Sequence, residues 1–386
     1  MMKLGIEFLP WEIQVEILSW LPVKTLMQFK CVCKSWKSLI SNDKLFKKNH
    51  LHKSARNNHC LFTLQVGEGC YHDEDEDHCL VPCPVRRLVE DPSSLIDEDG
   101  CCNLKGKYWL IDSCNGLVCF RYTWGYTWGY DCLPGRFRFW NPATRLWSKK
   151  SPTLIMDRML FGFGYDDSSD TYKVVGIAIS LRGQEWHWET AVYCMGDSCW
   201  REISSKPSFG LSPRGRTGTG LFAGGCLNWL AVEELKRPKQ NLQRLPLVIL
   251  SFDMHKETYR SFSLHEDISV VNTHLSVLGN CLCLFQDRKG THFDVWQMRE
   301  YGVRESWTRL VSVSYEHLEA DNCSMLRSWP LIFLGEDGDI LMLIRNKNLD
   351  VMLCNLSDNS VKYVQRPANK HWRWAHGYVE SLVSPY

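Results

Sequence analysis

Residues 9–51 carry the sequence pattern that most limits how this chain can fold. The first apolar residues of this segment recur at helical spacing and form one face, at Ile13, Ile17, Leu18 and Leu21. Pro10 suits the first position of that helix, and Pro22 ends it because the residue before a proline leaves the α conformation. The same spacing predicts more short helical segments over 23–29, 32–40 and a last turn capped by Asp43.

This helical unit is too small to bury a good core alone, because small domains leave much of their apolar surface exposed. Surplus apolar surface on such a unit usually indicates that a partner covers it. Residues 1–53 also hold nine Lys against three Glu and one Asp, a local net charge of +5. A positive docking surface would speed association with an acidic partner. The alternatives are a helical hairpin that packs only on the rest of the protein and a lysine-rich surface that is merely solvated.

The sequence of residues 9–51 resembles the plant F-box motif, LPxEIxxEILxxLPVKxLxxFxCVCKSWxSLIS. The resemblance implies docking on a Skp-type adaptor, which in turn sits on a cullin–RING ubiquitin ligase. Carried over to this chain, the adaptor-facing positions would be Leu9, Pro10, Ile13, Ile17, Leu18, Leu21, Pro22, Leu26, Val32, Cys33 and Trp36. Some of these must also pack inside the unit, and the pattern does not separate the two roles. Trp20 and Gln28 depart from the family, which often has a basic residue at those positions.

Composition limits the partners and the compartment. The net charge of +1 and the pI of about 7.5 exclude a global attraction to nucleic acid or to anionic membrane. The 18 cysteines would suggest disulfides in a secreted protein. The first residues, however, contain no basic segment followed by an apolar stretch, so we expect no signal peptide, reduced cysteines, and a cytoplasmic or nuclear location. No apolar run approaches the roughly 18 residues that a membrane span needs.

After a polar linker at 52–58, helical periodicity gives way to short strands separated by Gly, Asn and Asp turns. A unit of paired strands recurs five times, with a glycine in each copy at Gly116, Gly162, Gly220, Gly279 and Gly335. Repeats of roughly 45–60 residues with β and aromatic patterning predict propeller blades. A sixth blade, built from 59–110 and a C-terminal strand near Tyr378–Val383, would close the ring. Five or seven blades and a pair of β-sandwiches are the alternatives.

The expected fold class is therefore α+β multidomain. It comprises a small all-α F-box of three to four helices over 1–51, the linker, and an all-β, propeller-like domain of six blades over 59–386. Because the linker is so short, we expect the propeller-like domain to keep one orientation relative to the F-box and not to move freely about it.

Four motifs of the second domain resemble, more loosely, the plant F-box-associated, kelch-like domain: SCNGLVC at 113–119, WNPAT at 140–144, GFGYD at 162–166 and ESLV at 380–383. Together, the two resemblances imply the substrate-recognition subunit of an SCF-type ubiquitin ligase. In that role the F-box holds the adaptor and the C-terminal domain binds the target protein. The alternatives are an F-box-bearing interaction module without a degradative role, or a propeller enzyme.

The sequence shows no G-x-S-x-G, P-loop or H-E-x-x-H pattern, so we expect no catalytic residue, cofactor or metal. The candidate ligands for a zinc site are Cys60, Cys70, His72, His78, Cys79, Cys83, Cys101 and Cys102. Only the Cys79/Cys83 pair has a zinc-like spacing, and free cysteines are the simpler interpretation. The acidic run at 73–77 is most simply a solvated loop, with a cation or basic-peptide site as the alternative.

Aromatic residues in insertions between strands are the candidates for binding the target protein. They are Tyr122, Trp124, Tyr126, Trp128, Tyr130, Trp186 and Trp188. The first five belong to a tandem duplication, YTWGYTWGY, and exposed aromatics of this kind make good binding anchors. They could equally form an aromatic ladder inside a blade. A further insertion at 234–244 is either functional or a variable surface loop.

Overall fold

The helical unit contains four helices in the computed structural model of the chain. The structure describes residues 9–386 except 55–57, 66–77, 85–101, 105–107, 124–133, 156–158, 183–184, 208–210, 214–218, 234–246, 266–267, 269–272, 289–290, 315–330, 335–338, 345–349, 356–359 and 365–371. The helices are α1 (Trp11–Leu18), α2 (Val23–Phe29), α3 (Lys34–Asn42) and α4 (Lys44–Ser54). None of the helices in the described part of the chain has the length and apolar character needed to cross a membrane.

The helix ends follow from local chemistry. Pro10, expected at the first helical position, is instead the N-cap residue one position before α1, and Pro22 is the N-cap residue of α2. The Cys33 Sγ accepts a hydrogen bond from the backbone N–H of Trp36 and caps α3. Asp43 caps α4, because its carboxylate accepts the backbone N–H of Phe46 at 2.8 Å. The expected last turn is therefore a helix of 11 residues, and it includes the first three residues of the expected linker.

The described strands form six blades, which confirms the propeller-like expectation. Four blades are separate four-stranded sheets, and blades III and IV are joined through β8 and β13 in one nine-stranded sheet. Blade I consists of β25 (Trp372–Val379), β1 (Asn58–Gln65), β2 (His78–Pro84) and β3 (Cys102–Leu104). Blade II consists of β4 (Tyr108–Cys114), β5 (Leu117–Thr123), β6 (Gly135–Asn141) and β7 (Leu146–Trp147). Blade III consists of β8 (Met159–Asp166), β9 (Thr171–Arg182), β10 (Glu185–Cys194) and β11 (Arg201–Ile203).

The other three blades follow in chain order. Blade IV consists of β13 (Thr219–Ala223), β14 (Cys226–Glu233), β15 (Leu247–Asp253) and β16 (Tyr259–Ser263), and β12 (Leu211–Pro213) also pairs with β14. Blade V consists of β17 (Thr273–Leu278), β18 (Cys281–Arg288), β19 (His292–Met298) and β20 (Trp307–Ser314). Blade VI consists of β21 (Leu331–Leu334), β22 (Asp339–Ile344), β23 (Asp350–Asn355) and β24 (Val361–Val364).

The innermost strands close a ring. Contacts run in the order β25, β4, β8, β13, β17, β21 and back to β25. The last strand of the chain thus pairs with β1, the first, in one blade. This joint closes the propeller as expected, but the strand covers Trp372–Val379, whereas the expected position was near Tyr378–Val383. Apolar clusters fill the spaces between neighbouring blades, for example Phe137, Phe139, Phe163 and Val174 between blades II and III.

The two ends of the ring differ in what they carry. We call the end that holds the turns after the innermost strands, such as Asn115–Gly116 and 167–170, the helical side. The opposite end, where β5 ends at Thr123 and β6 begins at Gly135, is the loop side. The innermost strands β8 and β13 pair in parallel, so neighbouring blades present equivalent turns at the same end.

The cysteines depart from expectation at one position. Cys79, on β2, is disulfide-bonded, so the expectation of fully reduced cysteines is wrong there. Ten other cysteines in the described residues are free thiols. Burial raises the pKa of the Cys114 and Cys119 thiols well above the usual value, with a smaller contribution from the Asp112 charge, so both stay protonated and unreactive.

Candidate interaction surfaces

The core of the helical unit contains a residue from the far end of the chain. Its buried side chains are Leu18, Val23, Leu26, Leu39, Ile40, Phe46 and Leu382. Leu382 follows the last strand of the propeller and is 4% exposed in this cluster. The helical unit therefore does not close its core alone, which agrees with the argument from its size. Part of the missing apolar cover comes from the C-terminal tail.

The helical unit nevertheless leaves large apolar side chains exposed. These are Leu9, Trp11, Ile13, Ile17, Trp20, Val32 and Leu45. Ile13 and Ile17, four residues apart, lie on one face of α1 and are 47% and 46% exposed, and Leu9, just before the helix, is 53% exposed. We call these three residues the α1 stripe. A contiguous apolar surface of this kind marks an interaction site more often than it occurs by chance on a free surface.

The structure shows which of the residues expected to face the adaptor are exposed and which pack inside the helical unit. Of the residues expected to face the adaptor, the exposed ones are Leu9, Pro10, Ile13, Ile17, Pro22, Val32 and Cys33. Leu18 and Leu26 are 2% and 0% exposed and belong to the internal core. Leu21 and Trp36 are half-buried. The Trp36 indole N–H donates to the Gln14 side chain at 3.1 Å, which joins α3 to α1.

The C-terminal tail joins the helical unit to the propeller. The Asn141 side-chain amide, fully buried at the end of β6, donates to the carbonyl oxygens of Ser381 and Val383 at 2.9 and 2.7 Å. Its carbonyl oxygen accepts the backbone N–H of Ala143, which shapes the turn of the WNPAT motif. The Glu380 carboxylate accepts the backbone N–H of Val23 at the start of α2, at 3.4 Å. Three motifs that the sequence presents as separate therefore meet at one joint.

Lysines of α4 face an acidic turn, 167–170, on the helical side of blade III. The Lys44 Nζ lies 3.3 Å from the Asp170 carboxylate, and the Lys48 Nζ lies 3.7 Å from that of Asp167. These side chains are largely exposed, so each pair contributes little to stability. They add two contacts between α4 and blade III beside the joint at the C-terminal tail.

The GFGYD motif supplies a buried charge network next to this joint. Lys173 lies 2.8 Å from Asp166 and 3.1 Å from Glu257, and its side chain is nearly buried. Burial alone would raise the pKa of Asp166, but the Lys173 ammonium and the Ser168 and Ser169 hydroxyls outweigh it and hold that pKa well below its usual range. The network links blades III and IV and is satisfied internally, so it explains the motif without a catalytic role.

The expected target-binding aromatics have three different outcomes. Tyr122 is half-buried, with its ring 5.1 Å from that of Tyr108. Trp188 is 5% exposed and packs in the cluster between blades III and IV, so its side chain offers little surface to a target. Its side chain points inward because β10 alternates between the two faces of the blade. Trp124, Tyr126, Trp128 and Tyr130, together with the side chain of Trp186, lie outside the described residues.

The described residues contain no group of three or more His, Cys, Asp or Glu side chains placed to hold a metal ion. The acidic run at 73–77, the insertion at 234–244, and Cys70, His72 and Cys101 of the zinc hypothesis lie outside these residues.

Comparisons with known proteins identify both parts of the chain. Residues 88–385 match the F-box associated beta propeller domain, and residues 6–48 match the F-box domain. The F-box/kelch-repeat protein At3g23880 of Arabidopsis thaliana is 29% identical over 390 residues, covering 98% of this chain and 96% of the relative. The Arabidopsis F-box protein CPR1 is 26% identical over 366 residues, covering 88% of this chain and 81% of the relative. The solved structure of YjhT, 9% identical, has a TM-score of 0.40 and covers 68% of this chain and 85% of that chain.

The chain therefore belongs to the family of F-box proteins with an F-box associated propeller domain. Proteins of this class are in general non-catalytic adaptors that bring substrates to ubiquitin ligases.

Proposed function

We propose that this protein is the substrate receptor of an SCF-type ubiquitin ligase. It docks on a Skp-type adaptor, and through it on a cullin–RING ligase, by means of the α1 stripe together with Val32 and Cys33. The observation that carries the proposal is the position of this exposed apolar surface, on a unit fixed to the helical side of the propeller. The loop side is then directed away from the adaptor and is available to a target protein.

In this arrangement the protein supplies binding and orientation. The propeller holds a target protein, which raises the target's effective concentration beside the charged ubiquitin carrier. The joint at Leu382 and Asn141 fixes the angle between the adaptor-binding surface and the target. A cytoplasmic or nuclear location, where cullin–RING ligases work, is part of the proposal.

Ile13→Asp tests the docking surface. Ile13 is 47% exposed, so the variant is expected to fold, but it places an unpaired charge on the α1 stripe. We expect binding to a Skp-type adaptor, measured by calorimetry with the purified full chain, to weaken by roughly tenfold or more. Leu18→Asp is unsuitable for this purpose, because Leu18 is 2% exposed and a charge there would disrupt the core.

The matched control is Ile155→Asp, which makes the same change at a propeller residue that is 71% exposed. It should bind the adaptor like the native chain. If Ile13→Asp, shown by circular dichroism to be folded, also binds like the native chain, the α1 stripe is not the docking surface.

The degradative outcome needs a separate measurement. The captured target should accumulate in cells when the proteasome is inhibited, and it should accumulate when Ile13→Asp replaces the native chain. Turnover that is insensitive to proteasome inhibition would favour an interaction module without a degradative role.

A further inference from the structure

The lysines of the helical unit fall into two groups that differ in their partners. One group forms ion pairs with carboxylates, and its members are Lys44, Lys48 and Lys53. The other group consists of Lys30, Lys37 and Lys47, and no carboxylate in the described part of the chain forms an ion pair with any of them. We call Lys30, Lys37 and Lys47 the lysine cluster.

Three helices bring the lysine cluster together. Lys30 ends α2 and follows Phe29, whereas Lys37 lies on α3 and follows Trp36, and the rings of Phe29 and Trp36 pack 5.3 Å apart. Lys47 lies on α4, which contacts α3. Burial and, to a smaller degree, the Lys37 charge lower the pKa of Lys30, and burial and the Lys30 charge lower the pKa of Lys47. Lys30 therefore lies close enough to each of the other two lysines for their charges to repel.

The surroundings of the lysine cluster leave most of its charge uncompensated. Lys30 and Lys47 are half-buried, so their charges have lost part of their hydration without gaining a carboxylate partner. Lys47 also lies in the first turn of α4, where the helix dipole disfavours a positive charge, although the C-terminal end of α2 favours one at Lys30. An anionic partner would relieve both the repulsion and the lost hydration.

The lysine cluster borders on the proposed docking surface. Val32 and Cys33 belong to that surface, and Lys30 lies two residues before Val32, which is 61% exposed. The backbone N–H of Lys37 donates to the Cys33 carbonyl oxygen at 3.0 Å, so Lys37 lies one turn after Cys33 on the same face of α3. A protein that covers the surface at Val32 and Cys33 would therefore also meet these lysines.

We propose that the lysine cluster binds an acidic surface of the Skp-type adaptor and sets the rate at which the adaptor associates. This inference rests on the proposed function, because it assigns a chemistry to the part of the adaptor that meets α2 and α3. Residues 9–54 contain no arginine, and lysine is a compact, strongly hydrated charge that lacks the bidentate geometry of arginine. Complementary charge at an interface raises the association rate more than the affinity. The net charge of only +1 for the whole chain favours a protein partner over nucleic acid, whose binding domains are strongly basic.

The test uses the purified full chain and a Skp-type adaptor, with the association and dissociation rate constants measured by surface plasmon resonance at low and high salt. Lys37 is exposed, so its variants are expected to fold. At low salt, Lys37→Gln should slow association roughly threefold and Lys37→Glu roughly tenfold, because charge reversal changes the charge twice as much as neutralisation does. High salt should remove both differences, and the dissociation rate constant should change little.

The matched control is Lys206, an exposed lysine that follows β11 of blade III. Lys206→Gln and Lys206→Glu change the net charge of the chain by the same amounts as the two Lys37 variants. Both should associate with the adaptor at the native rate. Equal slowing at Lys37 and Lys206 would show that only the net charge of the chain matters and would overturn the inference.

Other results would also overturn it. One is a native association rate in Lys37→Glu, above all if that variant loses binding to phosphatidylserine vesicles or to a single-stranded oligonucleotide. Another is a lower midpoint of urea unfolding in Lys37→Gln, since Lys37 would then stabilise the helical unit itself. A native chain that fails to bind the adaptor would contradict the proposed function, whereas a native chain that binds at a rate independent of salt would contradict only this inference.

Discussion

At the residue scale, the joint between the helical unit and the propeller requires a glycine at position 116, because a side chain there would clash with the C-terminal tail. This residue has φ +82°, and a Cβ added there would lie 2.0 Å from the Ser381 Oγ. Ser381 is fully buried, and its carbonyl oxygen is held by Asn141, so it has little room to move. Glycine at position 116 therefore allows both the tight turn between β4 and β5 and the close packing of the C-terminal tail against that turn.

Gly116→Ala should cost far more stability than the same change elsewhere. Gly302 also has φ +82°, but nothing lies within 4 Å of an added Cβ, so Gly302→Ala measures backbone strain alone. We expect Gly302→Ala to lower the free energy of unfolding by about 1–2 kcal/mol. Gly116→Ala should cost a further 1–3 kcal/mol or so from overpacking. Urea unfolding of the two variants measures the difference, and equal losses would show that the tail yields without cost.

At the element scale, α4 is stabilised by tertiary packing and by a neutral histidine. His50 is fully buried, and its Nε2 donates to the Leu21 carbonyl oxygen at 2.9 Å. Burial lowers the pKa of His50 below its usual 6.5, although the bond to Leu21 and the Glu380 charge oppose the shift. The unfolded chain therefore binds a proton near pH 6.5, whereas the folded helical unit does so only at lower pH.

The contribution of neutral His50 to the free energy of unfolding should therefore be fully present above pH 6.5. The free energy of unfolding should fall as the pH is lowered through 6.5 towards the folded pKa of His50. His50→Gln, which keeps a donor for Leu21, should flatten this dependence. His52→Gln, at an exposed position of the same helix, should leave it unchanged. Urea unfolding followed by circular dichroism between about pH 7.5 and 5.5 gives the slopes. A slope that His50→Gln does not alter would assign the pH dependence to other groups.

The sequence predicts whole elements of this protein better than it predicts the role of single side chains. The repeat of paired strands predicts the blades, although Gly116 lies in a turn and Gly162 lies inside a strand, and the prolines and Asp43 predict the helix boundaries. The length of α4 escapes prediction, because Leu45, Phe46 and Leu51 form no continuous apolar face. Ile17 and Leu18 are adjacent and equally apolar, so their pattern cannot show that one is exposed and the other is buried.

The candidate sites show the same limit. Trp188 is buried because blade IV covers the face of β10 that carries it. The sequence of β10 does not show which blade covers which face. The joint of Gly116, Asn141 and Ser381 unites residues more than 200 positions apart, so spacing along the chain gives no indication of it. From the sequence alone, only the resemblance to the F-box-associated domain links the SCNGLVC, WNPAT and ESLV motifs to one another.

At the scale of the whole molecule, the two parts are fixed to each other by residues that follow the last strand. The tail leaves β25 at the helical side, enters the joint at Ser381, and places Leu382 in the core of the helical unit. A substrate receptor benefits from such a connection, because a fixed angle between adaptor and target keeps acceptor lysines within reach of the ubiquitin carrier. The polar residues between α4 and β1 are then not the main determinant of presentation.

Leu382→Ala should weaken this connection without affecting the propeller. Loss of a buried leucine side chain leaves a cavity in the helical unit and should lower its stability by about 2–4 kcal/mol. Amide hydrogen exchange should therefore increase in α1, α2 and α3 and remain unchanged in blades III to V. Leu146→Ala, which makes the same change at a side chain that is 39% exposed, should alter exchange in neither part. Unchanged exchange in the helices of Leu382→Ala would show that the helical unit is stable without the tail.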